Sequence, residues 1–459
     1  MNTKKQTATQ HLFTNKQLRT LLVPIMVEQL LSSLMGTADT MMVSNVGSAA
    51  ISAVSLVDAI NILVIQALSA LAAGGAILCS QYLGSQNLKK AKRSAEQVLF
   101  VMLVLSCSLS LLCLIFRFPL LRLIFGTVDT DVMANSQIYF FFTLLSFPFI
   151  GLYDAGASIL RAQNNTKGPM TISILSNFLN IGGNAILIFV FGMGVAGAAI
   201  STLVSRIFCA IVVIWQLRNP AEQIYVRNYF SIRPDWSLIK RVLFIGIPSG
   251  IENSMFQFGK LAIQSTVSTL GTVAIAAQAM TSILEALNGI AAMGVAAIGV
   301  GIGLMTVVGQ CIGAKRKDEA IYYIKRLSWL SEIVILISCA VVYLLAKPVT
   351  ILGGMEAESA RLCLQMVAFI TITKPISWVL SFIPAYGMRA AGDVKFSMIT
   401  SCASMWLCRV SLCIYLCRVW GFGPIAVWIG MFSDWTLRAI IFSIRFHSRK
   451  WLNHRVIEK

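Results

Sequence analysis

Charge is scarce in this sequence. Only 12% of its 459 residues are charged, with 19 Asp and Glu against 37 Lys and Arg. Histidine is scarcer: His11, His447 and His454 all sit near the two ends, leaving none for a catalytic centre in the body of the chain. No H-E-x-x-H and no G-x-S-x-G occurs, so hydrolase machinery is not visible and an enzyme is not expected. None of the 11 cysteines has C-x-x-C spacing. Most, including Cys79, Cys107, Cys113, Cys209, Cys402 and Cys408, lie inside apolar runs. They read as small core hydrophobes rather than disulfides or metal ligands. The ten-residue alternating strands of a membrane barrel are missing. No signal peptide is recognisable. The first 17 residues are polar and carry Lys4, Lys5 and Lys16, so the first span is expected to insert uncleaved.

What is abundant is apolar length. The chain is 57% hydrophobic, and runs of twenty or more apolar residues recur throughout. An all-α polytopic membrane protein follows, because only helices satisfy their backbone within such runs. Twelve transmembrane helices are predicted near 18–44, 51–80, 94–116, 132–160, 168–191 and 195–217, then 238–268, 273–309, 321–346, 359–387, 394–417 and 424–446. Residues 1–217 thus form an N-terminal six-helix bundle. The polar stretch 218–237 reads as a cytoplasmic linker, and 238–459 form a C-terminal six-helix bundle with a basic tail. Lys374-Pro375 is expected to kink or break the tenth helix.

The net charge of +18 does not imply nucleic acid, because the basic residues occupy alternate loops. Lys89, Lys90, Lys92 and Arg93 fill one, the linker another, and Lys315, Arg316 and Lys317 a third. The connections near 45–50, 192–194 and 269–273 hold no Lys or Arg. By the positive-inside rule both termini are expected in the cytoplasm. Asn164-Asn165-Thr166, a glycosylation sequon, then falls in a cytoplasmic loop and is discounted.

The halves repeat. Pro24 and Glu28 recur as Pro248 and Glu252, and Gly47 and Ile51 as Gly271 and Ile275, all at offset 224. Asp58 and Asn61 recur as Glu285 and Asn288 at offset 227, Arg161-Ala162 as Arg389-Ala390 at offset 228, and Gln81-x-x-Gly84 as Gln310-x-x-Gly313 at offset 229. With an even number of helices each, the halves form a parallel 6+6 pseudo-repeat about the membrane normal.

Within the spans, polar residues mark candidate sites. Glu28 and Asp39 are eleven positions apart, within about 20° on a helix, and Ser32 and Met35 share their stripe. An intramembrane charge costs roughly 2.5–3.5 kcal/mol, so this stripe should face a cavity or a neighbouring helix. Asn177, Asn180 and Asn184 share one face of the fifth helix. Their amide oxygens suit a hard cation, and interhelical hydrogen bonding would use the same groups. At offset 224 Asp39 meets Ile263, so the second half lacks this acid and carries Lys260 instead. A structural pair and a functional role both remain open for Lys260, with Glu285 or Asp434 as candidate partners, and Arg409 is similar. Gly192-x-Gly194-x-x-Gly197 spells a dinucleotide fingerprint but follows no strand. It reads as a tight turn with small residues for helix contact. No cofactor is expected.

Twelve spans, the duplicated layout, Pro24 with Asp39 on the first helix, Gln81-x-x-Gly84, Arg161-Ala162 and its repeat, and Gly192-x-Gly194-x-x-Gly197-Ala-Ala together resemble the multidrug and toxic compound extrusion (MATE) family across roughly residues 15–447. The resemblance implies two six-helix bundles around a central cleft. It implies a secondary-active antiporter that exports mostly cationic small organic compounds in exchange for H⁺ or Na⁺. The family's amino-terminal cation site falls on Asp39, Asn180 and Thr202, with Asn184 where the family has a second Asp. Glu28, Asn177, Glu252 and Lys260 are further cavity or second-site candidates, and no metal beyond Na⁺ is implied. The expected setting is a bacterial inner or plasma membrane, with the protein acting as a monomer. The rival reading is a flippase for lipid-linked saccharides of the same superfamily, which would want several cavity Arg or Lys. A channel is a third option, less suited to a single off-centre carboxylate.

Overall fold

The computed structural model describes residues 11–126, 129–229, 232–267, 298–352, 356–454 and 456–457, with isolated positions from 270 to 284. All described regular structure is helical. The first half comprises α1 (Asn15–Ser44), α2 (Ser48–Gly84), α3 (Leu88–Ile115), α4 (Arg117–Phe125), α5 (Thr130–Ala162), α6 (Lys167–Asn184) and α7 (Gly194–Leu217). The second comprises α8 (Trp236–Val267), α9 (Ile298–Gly313), α10 (Lys317–Leu352), α11 (Ala357–Ala390), α12 (Val394–Ser404), α13 (Leu412–Arg418) and α14 (Ile425–His447). Nine described helical spans are long and apolar enough to cross a membrane. α1 and α8, at 30 and 32 residues, match them in length while carrying polar stripes. The eighth predicted span is described at isolated positions up to 284 and then at its end, in α9. The twelve-helix, two-bundle reading therefore holds, and the chain is a multi-pass membrane protein.

Local chemistry explains the ends of the elements. Thr14 opens α1 with a capping box: its hydroxyl accepts from the Gln17 amide, and the Gln17 side chain accepts from Thr14 N–H. Gly192 and Gly194 both adopt positive φ, 63° and 55°, in the turn that starts α7. A Cβ on Gly197 would lie 3.1 Å from the Leu187 backbone. The glycine motif is thus a turn and a close contact, as its context predicts.

Three features depart from the sequence reading. α4 is an extra short helix after the third span. α11 runs unbroken through Pro375 and Pro384, so of the kink or break expected at Lys374-Pro375 the break does not occur. A proline removes one helical hydrogen bond, but packed neighbours and Ser or Thr hydroxyls tolerate that inside a bundle. Finally, the fifth span of each half contains π-helix. Ala185–Val190 follows α6, and Met405–Ser411 separates α12 from α13. At the repeat offset of 227–229 Ala185 falls at 412–414, just past the second segment, so the two lie side by side along the repeat and do not coincide; π-bulges frequently mark functional sites.

The halves meet through α2, which packs on α8 and α9. Among the described residues, the hydrogen bonds between halves gather toward the end carrying the basic loops. Gln81 Nε2 donates to the Ala390 carbonyl at 2.6 Å, and Gln310 Nε2 to the Ala162 carbonyl at 2.8 Å. The repeated glutamine of each half thus caps the helix end that follows the repeated arginine of the other. Leu12 N–H donates to Glu319 Oε2 at 2.8 Å, and Phe13 N–H to the Tyr323 hydroxyl at 2.9 Å. Residues 163–167 and the linker join through Asn165 Nδ2 to Glu222 Oε1 at 2.6 Å and through Gln163 to Ile224. In the linker, burial pushes the Tyr229 phenol up to about 12, so its hydroxyl stays a donor to the Ile214 carbonyl.

Candidate functional site

Acids first. Glu28 is buried, and Arg161 grips both of its carboxylate oxygens: Nη2 to Oε1 at 2.5 Å and Nε to Oε2 at 3.3 Å. The Tyr153 hydroxyl donates to Oε1 at 2.9 Å. The second half repeats the pair, with Arg389 Nη2 on Glu252 Oε1 at 2.6 Å. The sequence repeat therefore preserves an ion pair from the first helix of each bundle to the end of its fourth span. Both carboxylates are held by guanidinium groups, which fits structure better than ligand binding. Truncating one partner of such a buried pair leaves an uncompensated charge, at a cost of about 3–5 kcal/mol.

The amide face of α6 is buried as expected. Asn180 Nδ2 donates to the Thr202 hydroxyl at 3.3 Å, Asn184 Nδ2 reaches Asn180 Oδ1 at 3.5 Å, and the Ser201 hydroxyl donates to the Asn180 carbonyl at 2.8 Å. Three of the four residues assigned to cation coupling thus form one chain across α6 and α7, at the start of the π segment. Asn177 stands apart. Its Nδ2 donates to the Ser173 carbonyl at 2.8 Å, and its buried Oδ1 finds no donor among the described residues. Asp39 lies on α1, but its side chain is outside the described residues, as is all of Glu285.

Two intramembrane charges of the first bundle escaped the sequence reading. Asp154, on α5, has a buried Oδ2 without a hydrogen-bond partner among the described residues. Arg206, on α7, donates from Nη1 to the Ser146 hydroxyl at 2.6 Å. Each was visible as a lone charge in an apolar run. What hid them was the lack of a counterpart in the repeat. Asp58, by contrast, was found through the repeat; it accepts from Asn61 at 3.1 Å and Tyr139 at 3.3 Å.

The second bundle is built differently. Asp434 does not pair with Lys260, correcting one expectation. It accepts from Arg438 Nε at 2.9 Å and from the Ser404 hydroxyl at 2.6 Å, all three buried. Four residues separate Asp434 from Arg438 on α14, so the partner on its own helix is the nearer one. Lys260 instead stands over the Phe256 ring, 4.8 Å from its centroid, and the Arg409 guanidinium lies 5.1 Å from the same centroid. Arg409 sits inside the π segment and points Nη2 at Met431 Sδ, 2.7 Å away. Close packing at Gly259 against Met405 brings that segment onto α8.

α8 shows which face this is. Phe244, Ile247, Ile251 and Phe258 form an exposed apolar stripe, as a lipid-facing surface would. Ser249, Asn253, Gln257, Lys260 and Gln264 run along the opposite side, with Lys260 and Gln264 exposed. Asn253 Nδ2 donates to the Gln66 carbonyl of α2 at 3.3 Å, so the polar stripe points at the other bundle. Among the described residues no hydrogen bond joins the halves beyond this level, toward Lys260. An exposed ammonium there fits a watered cleft between bundles, not lipid.

Known proteins share this architecture. The MatE family model matches residues 24–186 and again 248–415, once in each half. The uncharacterized transporter YisQ of Bacillus subtilis is 28% identical over 94% of this chain and 93% of its own. The probable multidrug resistance protein NorM of Thermotoga maritima is 25% identical over 97% of this chain and 94% of its own. A solved structure described as the outward-facing conformation of a multidrug resistance MATE family transporter superposes with a TM-score of 0.86 at 19% identity, covering 95% of both chains.

Proposed function

The chain belongs to the MatE family, and from that premise we propose a secondary-active multidrug efflux antiporter of a bacterial cytoplasmic membrane, acting as a monomer with both termini inside. It exports small, mostly cationic organic compounds in exchange for H⁺ or Na⁺. The observation that carries the reading is the buried Asn184–Asn180–Thr202 chain at a helix irregularity on the inner side of the first bundle. Such a chain offers oxygen acceptors where a cation could be exchanged, and Asp39 supplies the titratable carboxylate on the neighbouring helix. Asn184 cannot ionise, so Asp39 is the one acid on the family's cation-site pattern and a proton suits the site better than Na⁺.

In this mechanism Asp39 alternates between protonated and ionised forms as the cleft alternates its opening. Coupling requires that cation and cargo prefer different openings of the cleft, since a ligand shifts an equilibrium only by its differential affinity. The contacts of Gln81 and Gln310 across the halves have to break for the cleft to open toward the basic loops. The two Glu–Arg pairs lie within single bundles and can persist, so each bundle moves as a unit. That several relatives are described as probable multidrug resistance proteins favours drug export over flipping of lipid-linked saccharides.

The test is uphill transport of tetraphenylphosphonium into or out of proteoliposomes, first under an imposed pH gradient and then under an imposed Na⁺ gradient. Accumulation driven by the pH gradient alone is expected. Absence of any gradient-driven flux would sink the antiport reading.

A further inference from the structure

Asp154 lies inside the first bundle with nothing bonded to it. Its Oδ2 is buried, and among the described residues it has no hydrogen-bond partner and no ion pair. Three charges act on it through space: Glu28 on α1, Arg161 on α5 and Arg206 on α7; the Cys209 thiol on α7 also faces it. Among the described residues α2, α3, α4 and α6 add none. Asp58 of α2 is bonded instead to Asn61 and to Tyr139, fifteen positions from Asp154 along α5. Arg161 uses its Nε and Nη2 on Glu28, and Arg206 gives its Nη1 to the Ser146 hydroxyl. An ionised Asp154 therefore has no direct partner, which burial makes costly, and a proton removes that charge. The residue as a whole is only half-buried, so water can reach the carboxyl. Glu28 is the contrast: its two oxygens are held by Arg161 and Tyr153. Depth completes the argument. Asp154 precedes Arg161 by seven positions, about 10 Å along α5 on the side away from the basic loops. Asp39 lies eleven positions beyond Glu28, the partner of Arg161, about 16 Å in the same direction. Asp154 thus stands at a level between Asp39 and the basic-loop end.

We propose that Asp154 is a second proton-binding residue of the first bundle, the station through which a proton leaving Asp39 passes toward the basic-loop side. The role rests on the antiport reading, which supplies the direction of flow. At rest the Asp154 carboxyl is neutral. It gives its proton to water on the basic-loop side, and the fields of Arg161 and Arg206 hold the carboxylate that remains. Neither guanidinium is bonded to it, so the charge is tolerated without being fixed. Asp39 then gives up its own proton, and the Asp154 carboxylate takes one up by way of water. One proton has moved inward, Asp39 is ionised and Asp154 is neutral again.

The experiment uses the full-length protein in proteoliposomes. Infrared difference spectra between mildly acid and mildly alkaline medium report each carboxyl that exchanges a proton, through its C=O band. Asp154→Asn should remove one such band that Asp39→Asn keeps. If the Asp154→Asn protein fails to fold, Asp154→Glu should shift the same band in frequency. Spectra that match the unaltered protein in either variant would overturn the assignment. Transport then tests the role. Asp154→Asn has the shape of the protonated acid, so it should bind tetraphenylphosphonium as the unaltered protein does, yet slow pH-gradient-driven export by about tenfold. Undiminished export would sink the relay. Loss of binding together with export would also sink it, because a structural role would then explain the defect. The unaltered protein separates the two ideas. If no gradient drives its export, the antiport reading fails and takes the relay with it, while the infrared band still decides whether Asp154 binds a proton.

Discussion

At the scale of residues, the acids divide by what holds them. Glu28 and Glu252 each sit under an arginine, whereas Asp39 is the one carboxylate that falls on the family's cation-site pattern. Asp39→Asn should therefore insert and fold but lose gradient-driven export, while Asn184→Asp should add a response to Na⁺. Transport in proteoliposomes at matched protein density checks both; wild-type flux from Asp39→Asn would move the coupling site elsewhere. Glu28→Gln should instead cost stability, about 3–5 kcal/mol, because it strands the Arg161 guanidinium. Arg161→Gln added to it should restore much of the loss. Thermal unfolding of the two single variants and the double gives the coupling, and simple additivity would mean that the pair contributes nothing. Glu252 and Arg389 should behave alike, since the repeat copies the contact.

At the scale of elements, two glycines decide how closely the halves approach. A Cβ on Gly84 would collide with the Gln310 carbonyl, and one on Gly313 with the Gln81 carbonyl. Both obstacles are backbone and cannot swing aside. Gly84→Ala or Gly313→Ala should therefore wedge α2 from α9 and break the amide contacts of Gln81 and Gln310. The protein should shift toward conformations open at the basic-loop end. Accessibility of a cysteine placed at Ala162 to a water-soluble maleimide should rise several-fold. Unchanged labelling would show that the crossing of α2 and α9 does not gate that end. The repeat made this pairing legible as two matching motifs, but not that each motif reaches into the opposite half.

At the scale of the whole molecule, the alternation of basic and uncharged connections fixes the expected orientation. Cysteines at Ser85 and Asn45 should label from opposite faces of intact cells, Asn45 from outside. Labelling of both from outside would refute the topology. The sequence by itself determined the membrane class, the twelve spans and the parallel duplication. These follow from apolar run length, loop charge and an ordered set of matches, all of which are local or periodic properties of the chain. It also placed Asn177, Asn180 and Asn184 on one face, because a helix turns residues at three- and four-step spacings to one side, while Thr202 entered through the family resemblance. Partners were decided only by the tertiary structure. Glu28 finds Arg161 across 133 positions, Glu252 finds Arg389 across 137, and Lys260 meets Arg409 instead of Asp434. A helix register says which way a charge points, not which neighbouring helix stands there. That neighbour is set by packing over the whole bundle, and with it which partner holds a buried charge.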